Sequence, residues 1–156
     1  MELDGVDREI LRLLAEDART PNNALAAAVG IAPSTCLMRV RRLQSAGVIT
    51  AYRAELSPEA LDRPLQALVA VRLQAHARGG IGEFAGRFAG LPGVLNIFFL
   101  AGADDFLIHL AVSSPDGLRD FVVENLSASK DVAATETSLI FEHIATGSTP
   151  LLPPTD

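Results

Sequence analysis

The stretch "APSTCLMRVRRLQSAG" at residues 32–47 places Arg39, Arg41 and Arg42 within four positions and ends on a glycine. Its apolar residues, Cys36 or Leu37, then Val40 and Leu43, recur at the three- and four-residue steps of one helical face. Pro33 suits a first helical position and Gly47 a C-terminal stop, so the stretch predicts a helix beginning at Pro33. Its other face carries Ser34, Thr35, Met38, Arg39, Arg41 and Arg42. A solvated basic face is one meaning of that pattern, and a nucleic-acid contact surface is the other.

Two further helices are predicted upstream. Asp4 can cap the first, with Asp7 in its first turn where the helix dipole favours an acid. Val6, Ile10, Leu13 and Leu14 give it one apolar face. In "ARTPNN" (18–23), Thr20 can cap the second helix with Pro21 at its first position, and Leu25, Ala26 and Val29 form its stripe. Gly30, Ile31 and Ala32 then make a short turn into the arginine-bearing helix. Two helices about such a turn fit a helix-turn-helix, whose second helix enters the major groove. Arginine pairs bidentately with guanine there, and Ser34 and Thr35 at the helix start suit phosphate or base contacts. Arg39 and Arg42, three residues apart, share a face and are expected to make the DNA contacts. Arg41 diverges from Arg42 by about 100° and is expected to touch the DNA backbone or the protein itself.

The whole chain of 156 residues has net charge −6, which argues against polyanions. The segment 33–53 nonetheless holds Arg39, Arg41, Arg42 and Arg53 and no acid. Charge is screened over about 8 Å at physiological salt, so the local excess governs close contacts. Mean hydropathy is high at +0.28. No apolar run reaches the roughly 20 residues of a membrane helix, so the surplus is expected at subunit interfaces. Seven Phe, one Tyr and no Trp supply few stacking platforms for single strands. Cys36 is the one cysteine and forms no internal disulfide; it is expected to be a packed side chain rather than a redox sensor. An N-terminus without signal-peptide layout predicts a cytoplasmic location. His76, His109 and His143 lack metal-ligand spacing, and no nucleophile elbow or phosphate loop is visible. Neither a metal, a cofactor nor an enzymatic activity is expected.

From residue 51 the period changes. "YRAEL" (52–56) predicts a connector strand, and "SPEALDRP" (57–64) a turn with a short helix. "LQALVAVRLQ" (65–74) alternates as a strand with Leu65, Ala67, Val69, Val71 and Leu73 on one face. "GIGEFAGRFAGL" (80–91) predicts a helix through Ile81, Phe84, Phe88 and Leu91. "GVLNIFFLAGADDFLIHLAV" (93–112) predicts two strands about Gly102-Ala103-Asp104-Asp105. "SPDGLRDFVVENL" (114–126) predicts a helix and "ATETSLIFEHI" (134–144) a last strand. The order βαββαβ is ferredoxin-like, with helices on one sheet face and self-association the simplest cover for the other. The class is therefore α+β: a helix-turn-helix (winged-helix-like) domain over 1–50, a connector over 51–63, a ferredoxin-like domain over 64–145, and a flexible Pro-rich tail over 146–156.

Three phrases, "LDGVDREILRLLAEDAR" (3–19), "VGIAPSTCLMRVRRLQSAGVITAYRAEL" (29–56) and "LAGADDFLIHLAV" (100–112) followed by "TETSLIF" (135–141), resemble the Lrp/AsnC (feast/famine) transcription regulators. The "CL-RVRRL" and "G-I--Y" pattern is closest to the leucine-responsive branch, and "GADD" matches the family's Gly-x-x-Asp turn. The resemblance implies binding of double-stranded DNA, a ferredoxin-like (RAM-type) sensing domain, homodimers through the sheets and assembly to an octamer. It also implies an amino-acid effector near Gly102, Ala103, Asp104 and Asp105, with Thr135, Glu136 and Thr137 close by. An acid there can take an ammonium group, and a glycine lets the backbone approach the ligand. Ala32 departs from the usual serine-like cap before the recognition helix. An architectural DNA-binding protein with little sequence choice, or a sensing module of amino-acid metabolism, are the competing functions.

Overall fold

The computed structural model describes residues 2–144, so the expected tail over 146–156 lies outside the described residues. The chain divides into two compact units, one running to Glu55 and the other spanning Leu56–His143.

The first unit is tri-helical. α1 (Gly5–Glu16) starts from Asp4, as its sequence predicts. α2 (Asn22–Ala28) begins one residue later than expected, with Pro21 rather than Thr20 in the cap position. The Thr20 hydroxyl instead donates to the Asp17 carbonyl at 2.8 Å, closing the turn after α1. α3 (Pro33–Ser45) follows, and Gly47 takes a left-handed φ of 71° just past its end. The Asn22 amide donates to the Pro33 carbonyl at 2.9 Å and ties the start of α2 to the start of α3. Ile10, Leu25, Ala26, Cys36 and Leu43 form the core. Of the two candidates for the first stripe position of α3, Cys36 is inward and Leu37 is largely exposed. The predicted connector strand at 52–56 does not form, and no strand is described before Leu65. An extended segment becomes a strand only against a neighbouring strand, and none of the described residues pairs with it. That leaves the winged-helix-like expectation without a wing among the described residues.

The second unit is the expected βαββαβ. β1 (Leu65–Leu73) leads through a 3₁₀ segment (Ala75–Gly80) into α4 (Ile81–Gly86), then β2 (Val94–Phe99) and β3 (Phe106–Val112). α5 (Pro115–Val122) is capped by Ser114, whose hydroxyl accepts the Gly117 N–H at 3.1 Å, and runs into a π-helical turn (Val123–Ser127). β4 (Val132–Ile140) closes an antiparallel sheet of order β2-β3-β1-β4. It starts two residues before the predicted strand and ends four before it. α4 stops at Gly86, well short of Leu91, because glycines at 82, 86 and 90 each disfavour helix by about 1 kcal/mol. Phe84 and Phe88 are buried all the same, 5.2 Å apart between ring centroids, and pack on Phe106 at 5.5 and 6.3 Å.

Alternation on β1 decides the core. Ala67, Val69, Val71 and Leu73 are buried with Ile108, Leu110, Leu118 and Leu126 on the helix-bearing face. Leu68 and Ala70 point the other way, beside His109 and Leu107 of β3 by register. β2 is an edge strand with Leu95, Phe98 and Phe99 exposed.

Candidate nucleic-acid interface and effector site

α1 opens with a reciprocal cap. The Asp4 carboxylate accepts the Asp7 N–H at 2.8 Å, and the Asp7 carboxylate accepts the Asp4 N–H at 3.4 Å. This fixes Asp7 toward α3, where it is 0% exposed. A buried carboxylate is costly unless paired, and two guanidinium groups pair it. Arg39 Nη1 donates to Asp7 Oδ1 at 2.9 Å and to Asp4 Oδ2 at 2.6 Å, while Arg42 Nη2 donates to Asp7 Oδ2. The Asp7 N–H, and next Arg39, hold the Asp4 carboxyl below its usual range.

Within the protein, both arginines expected at DNA are engaged by α1 carboxylates. Arg39, largely covered, and Arg42, whose side chain is still 49% exposed, pair with Asp7, whereas Arg41 is exposed with no carboxylate partner among the described residues. Ser34, Met38 and Arg41, at four- and three-residue steps, form an outward stripe, with Met38 65% exposed. Thr35 is half-buried beside it. The sequence marks Asp4 and Asp7 as capping acids but not as partners of Arg39 and Arg42, yet a signal for the pairing exists. Acids three apart on α1 match arginines three apart on α3. Cys36 is fully buried, and burial raises its thiol pKa, so it packs as a small apolar side chain.

The turn between β2 and β3 is pinned to β1. The Asp105 N–H donates to the Val71 carbonyl at 2.9 Å, and its carboxylate accepts the Leu73 N–H at 2.7 Å and pairs with Arg78 Nε at 3.2 Å. Arg72 Nε donates to the Ala103 carbonyl at 2.8 Å, and its Nη2 meets Asp104 at 3.3 Å. Arg72 and Arg78 were not singled out in the sequence, where each is one arginine without a motif. Gly102 differs from its neighbours. A Cβ there would meet nothing within 4 Å, and its φ is not left-handed, so the chain itself does not require glycine. Thr135 lies opposite Val71 and Thr137 opposite Val69, on the helix-bearing face, whereas Glu136 lies opposite Ala70 on the other. β1 thus stands between the turn and the β4 residues, and one chain does not gather all seven positions about one point.

His109 is buried on the helix-free face. Its Nε2 lies 3.0 Å from Gln66 Oε1 and its Nδ1 3.3 Å from the Asn96 amide, a pattern that suits the neutral ring with its proton on Nε2. Burial, and then the charge of His143, lower its pKa below the ordinary 6.5. The unfolded chain then binds the proton more readily, so stability is full above about pH 6.5 and declines as pH falls through that value. The thermal midpoint is expected to drop as pH falls below about 6.5, and His109→Gln to flatten that drop. Equal pH slopes in the two proteins would count against this origin.

With these geometries in place, the comparisons with known proteins decide the family. The AsnC-type helix-turn-helix domain matches residues 3–44, and the Lrp/AsnC ligand binding domain matches residues 66–150. The chain belongs to the Lrp/AsnC family. It is 55% identical over 150 residues to the transcriptional regulator AldR of Mycobacterium tuberculosis, covering 96% of this chain and 83% of that protein. It is 38% identical to the leucine-responsive regulatory protein of Rhizobium meliloti, covering 92% of each. Among solved structures, MtbAldR superposes with a TM-score of 0.79 at 50% identity, covering 92% of this chain and 95% of that one. A Neisseria meningitidis transcriptional regulator in complex with L-Met superposes with a TM-score of 0.86 at 31% identity, covering 95% and 96%. This Lrp/AsnC chain is thus a DNA-binding transcriptional regulator with a ligand-binding domain, and not an enzyme. No single helix among its described residues is long and apolar enough to cross a membrane.

Proposed function

We propose that this regulator reads double-stranded DNA with the outward stripe Ser34, Met38 and Arg41 of α3, and that a free amino acid held near Gly102–Asp105 changes that binding. The observation that carries the DNA half is the pairing of Arg39 and Arg42 with Asp7, which leaves Arg41 as the exposed arginine of α3 without a carboxylate partner among the described residues. Arg39, Arg42 and the half-buried Thr35 then set the pose of the helix rather than read bases. The effector half is supported by the open space about Gly102 and by the methionine complex of the Neisseria relative. Asp105 acts there mainly as the pin of the turn, and Asp104 and the backbone about Gly102 are the groups offered to a ligand. A second copy covers the helix-free sheet face, and dimers assemble further, up to an octamer, in the cytoplasm. Effector bound at a seam between copies favours one spacing of the recognition helices, which must match the half-sites.

The test is titration of duplex DNA from the chain's own upstream region against bulk competitor, repeated with each of the twenty amino acids. Arg41→Ala is expected to weaken specific binding by roughly tenfold to a hundredfold, as loss of one base-reading arginine does. At least one amino acid is expected to shift the midpoint. Unchanged specific affinity in Arg41→Ala sinks the stripe assignment. Equal affinity for upstream and bulk DNA favours an architectural protein instead.

A further inference from the structure

We propose that Asp7 is a positioning residue for DNA recognition: by holding Arg39 and Arg42 against α1, it keeps two cations off the phosphates. Specific binding then depends on the α3 stripe rather than on charge. The inference rests on the assignment of α3 to DNA given above.

The segment 33–53 brings four arginines and no acid, and any of them within reach of a duplex would bind phosphate in any sequence. Asp7 is fully buried, so the pair with the largely covered Arg39 is shielded from solvent, while the Arg42 side chain, 49% exposed, meets the same carboxylate from its open side. Its two oxygens are divided, Oδ1 to Arg39 and Oδ2 to Arg42, so one carboxylate fixes two side chains. Arg39 has a second anchor in Asp4, whereas Asp7 is the one carboxylate paired with Arg42 among the described residues. Asp4 is in turn tied to Asp7 through the cap, so the first turn of α1 is built around this clamp. Arg42 is therefore the arginine that Asp7 alone restrains. Releasing it adds a cation at a helix already facing DNA, which strengthens binding to all sequences alike and dilutes discrimination.

The measurement is the dependence of binding on salt, for specific and bulk duplex, in the full-length protein. Each phosphate contact contributes about 0.9 to the slope of log K against log salt. Asp7→Asn is expected to steepen that slope by about one, raise bulk affinity at low salt and lower the ratio of specific to bulk binding. Adding Arg42→Gln to it should return the slope to its original value. Arg42→Gln alone, which leaves Asp7 paired with Arg39, should not change the slope. A slope that falls by about one in Arg42→Gln places Arg42 on phosphate in the native protein and overturns the proposal. An unchanged slope in folded Asp7→Asn, with helicity verified by circular dichroism, overturns it as well. If Asp7→Asn does not fold, Arg42→Gln decides. Failure of the stripe assignment is separate: it appears as undiminished binding in Arg41→Ala, whatever Asp7→Asn does.

Discussion

Gly93→Ala should destabilise the ligand-binding unit by about 2–6 kcal/mol, summing strain at an unsuitable φ with overpacking. Gly93 sits just before β2 with φ at 93°, a region that side chains rarely adopt. A Cβ there would strike the Ala111 carbonyl and lie 2.8 Å from Arg63 Nη1. The Arg63 guanidinium can swing aside, but the Ala111 carbonyl is backbone within the sheet and cannot yield cheaply. The Ala111 N–H donates to the Gly93 carbonyl at 2.8 Å, and Arg63 donates to the Ala111 carbonyl at 3.3 Å. The substitution must therefore lift the start of β2 from β3, straining the hydrogen bond between Gly93 and Ala111, whether or not Arg63 moves away. Denaturant unfolding of the variant checks this, with Gly102→Ala as the contrast. Gly102 has open space and no left-handed φ, so its stability should change by less than about 0.5 kcal/mol. Equal effects at the two glycines would refute the argument.

Phe106→Ala should cost about 3–5 kcal/mol. Its ring is 0% exposed at the start of β3, between Phe84 and Phe88 and against the buried face of β1. Removing it leaves a void bounded by two aromatic rings delivered by the short α4 and the turn after it. Phe106→Leu, which fills part of the void, should recover about half of the loss. Chemical denaturation followed at the ligand-binding unit measures both. A cost below about 1 kcal/mol would mean that Phe84 and Phe88 collapse into the space.

The elements most legible in the sequence are those whose signal is local. Alternation from Leu65 to Leu73 identifies β1 and its buried face, Gly102 to Asp105 mark a hairpin turn, and Asp4 marks the start of α1. The connector at 52–56 differs from its sequence signal because its residues favour extension but a strand is made by its neighbour. α4 fell short because its apolar spacing suits a helix while its glycines do not. The arginine roles were hidden for a different reason. Asp7 lies 32 residues from Arg39 and 35 from Arg42, and no periodicity within one helix reports which face meets another helix. Only the matched spacing of two acids and two arginines carries that information. At the effector turn, Gly102 and Asp105 were visible as a motif, but the seven positions stand on both sides of β1.

The β2 edge has a consequence for how the protein is made. "VLNIFFL" at 94–100 has no charge, no proline and no glycine, and it is rich in β-branched and aromatic residues. Segments of that composition stack into cross-β fibrils when they are left unpaired. Native edges usually carry a lysine, a proline or an inward charge that discourages such pairing, and β2 carries none. Its exposed Leu95, Phe98 and Phe99 leave the lone chain with a sticky margin. Variants such as Gly93→Ala, which loosen β2 from β3, are therefore expected to be lost from cells as insoluble material. The soluble yield of a mutant then reports the integrity of this edge before any assay of regulation does.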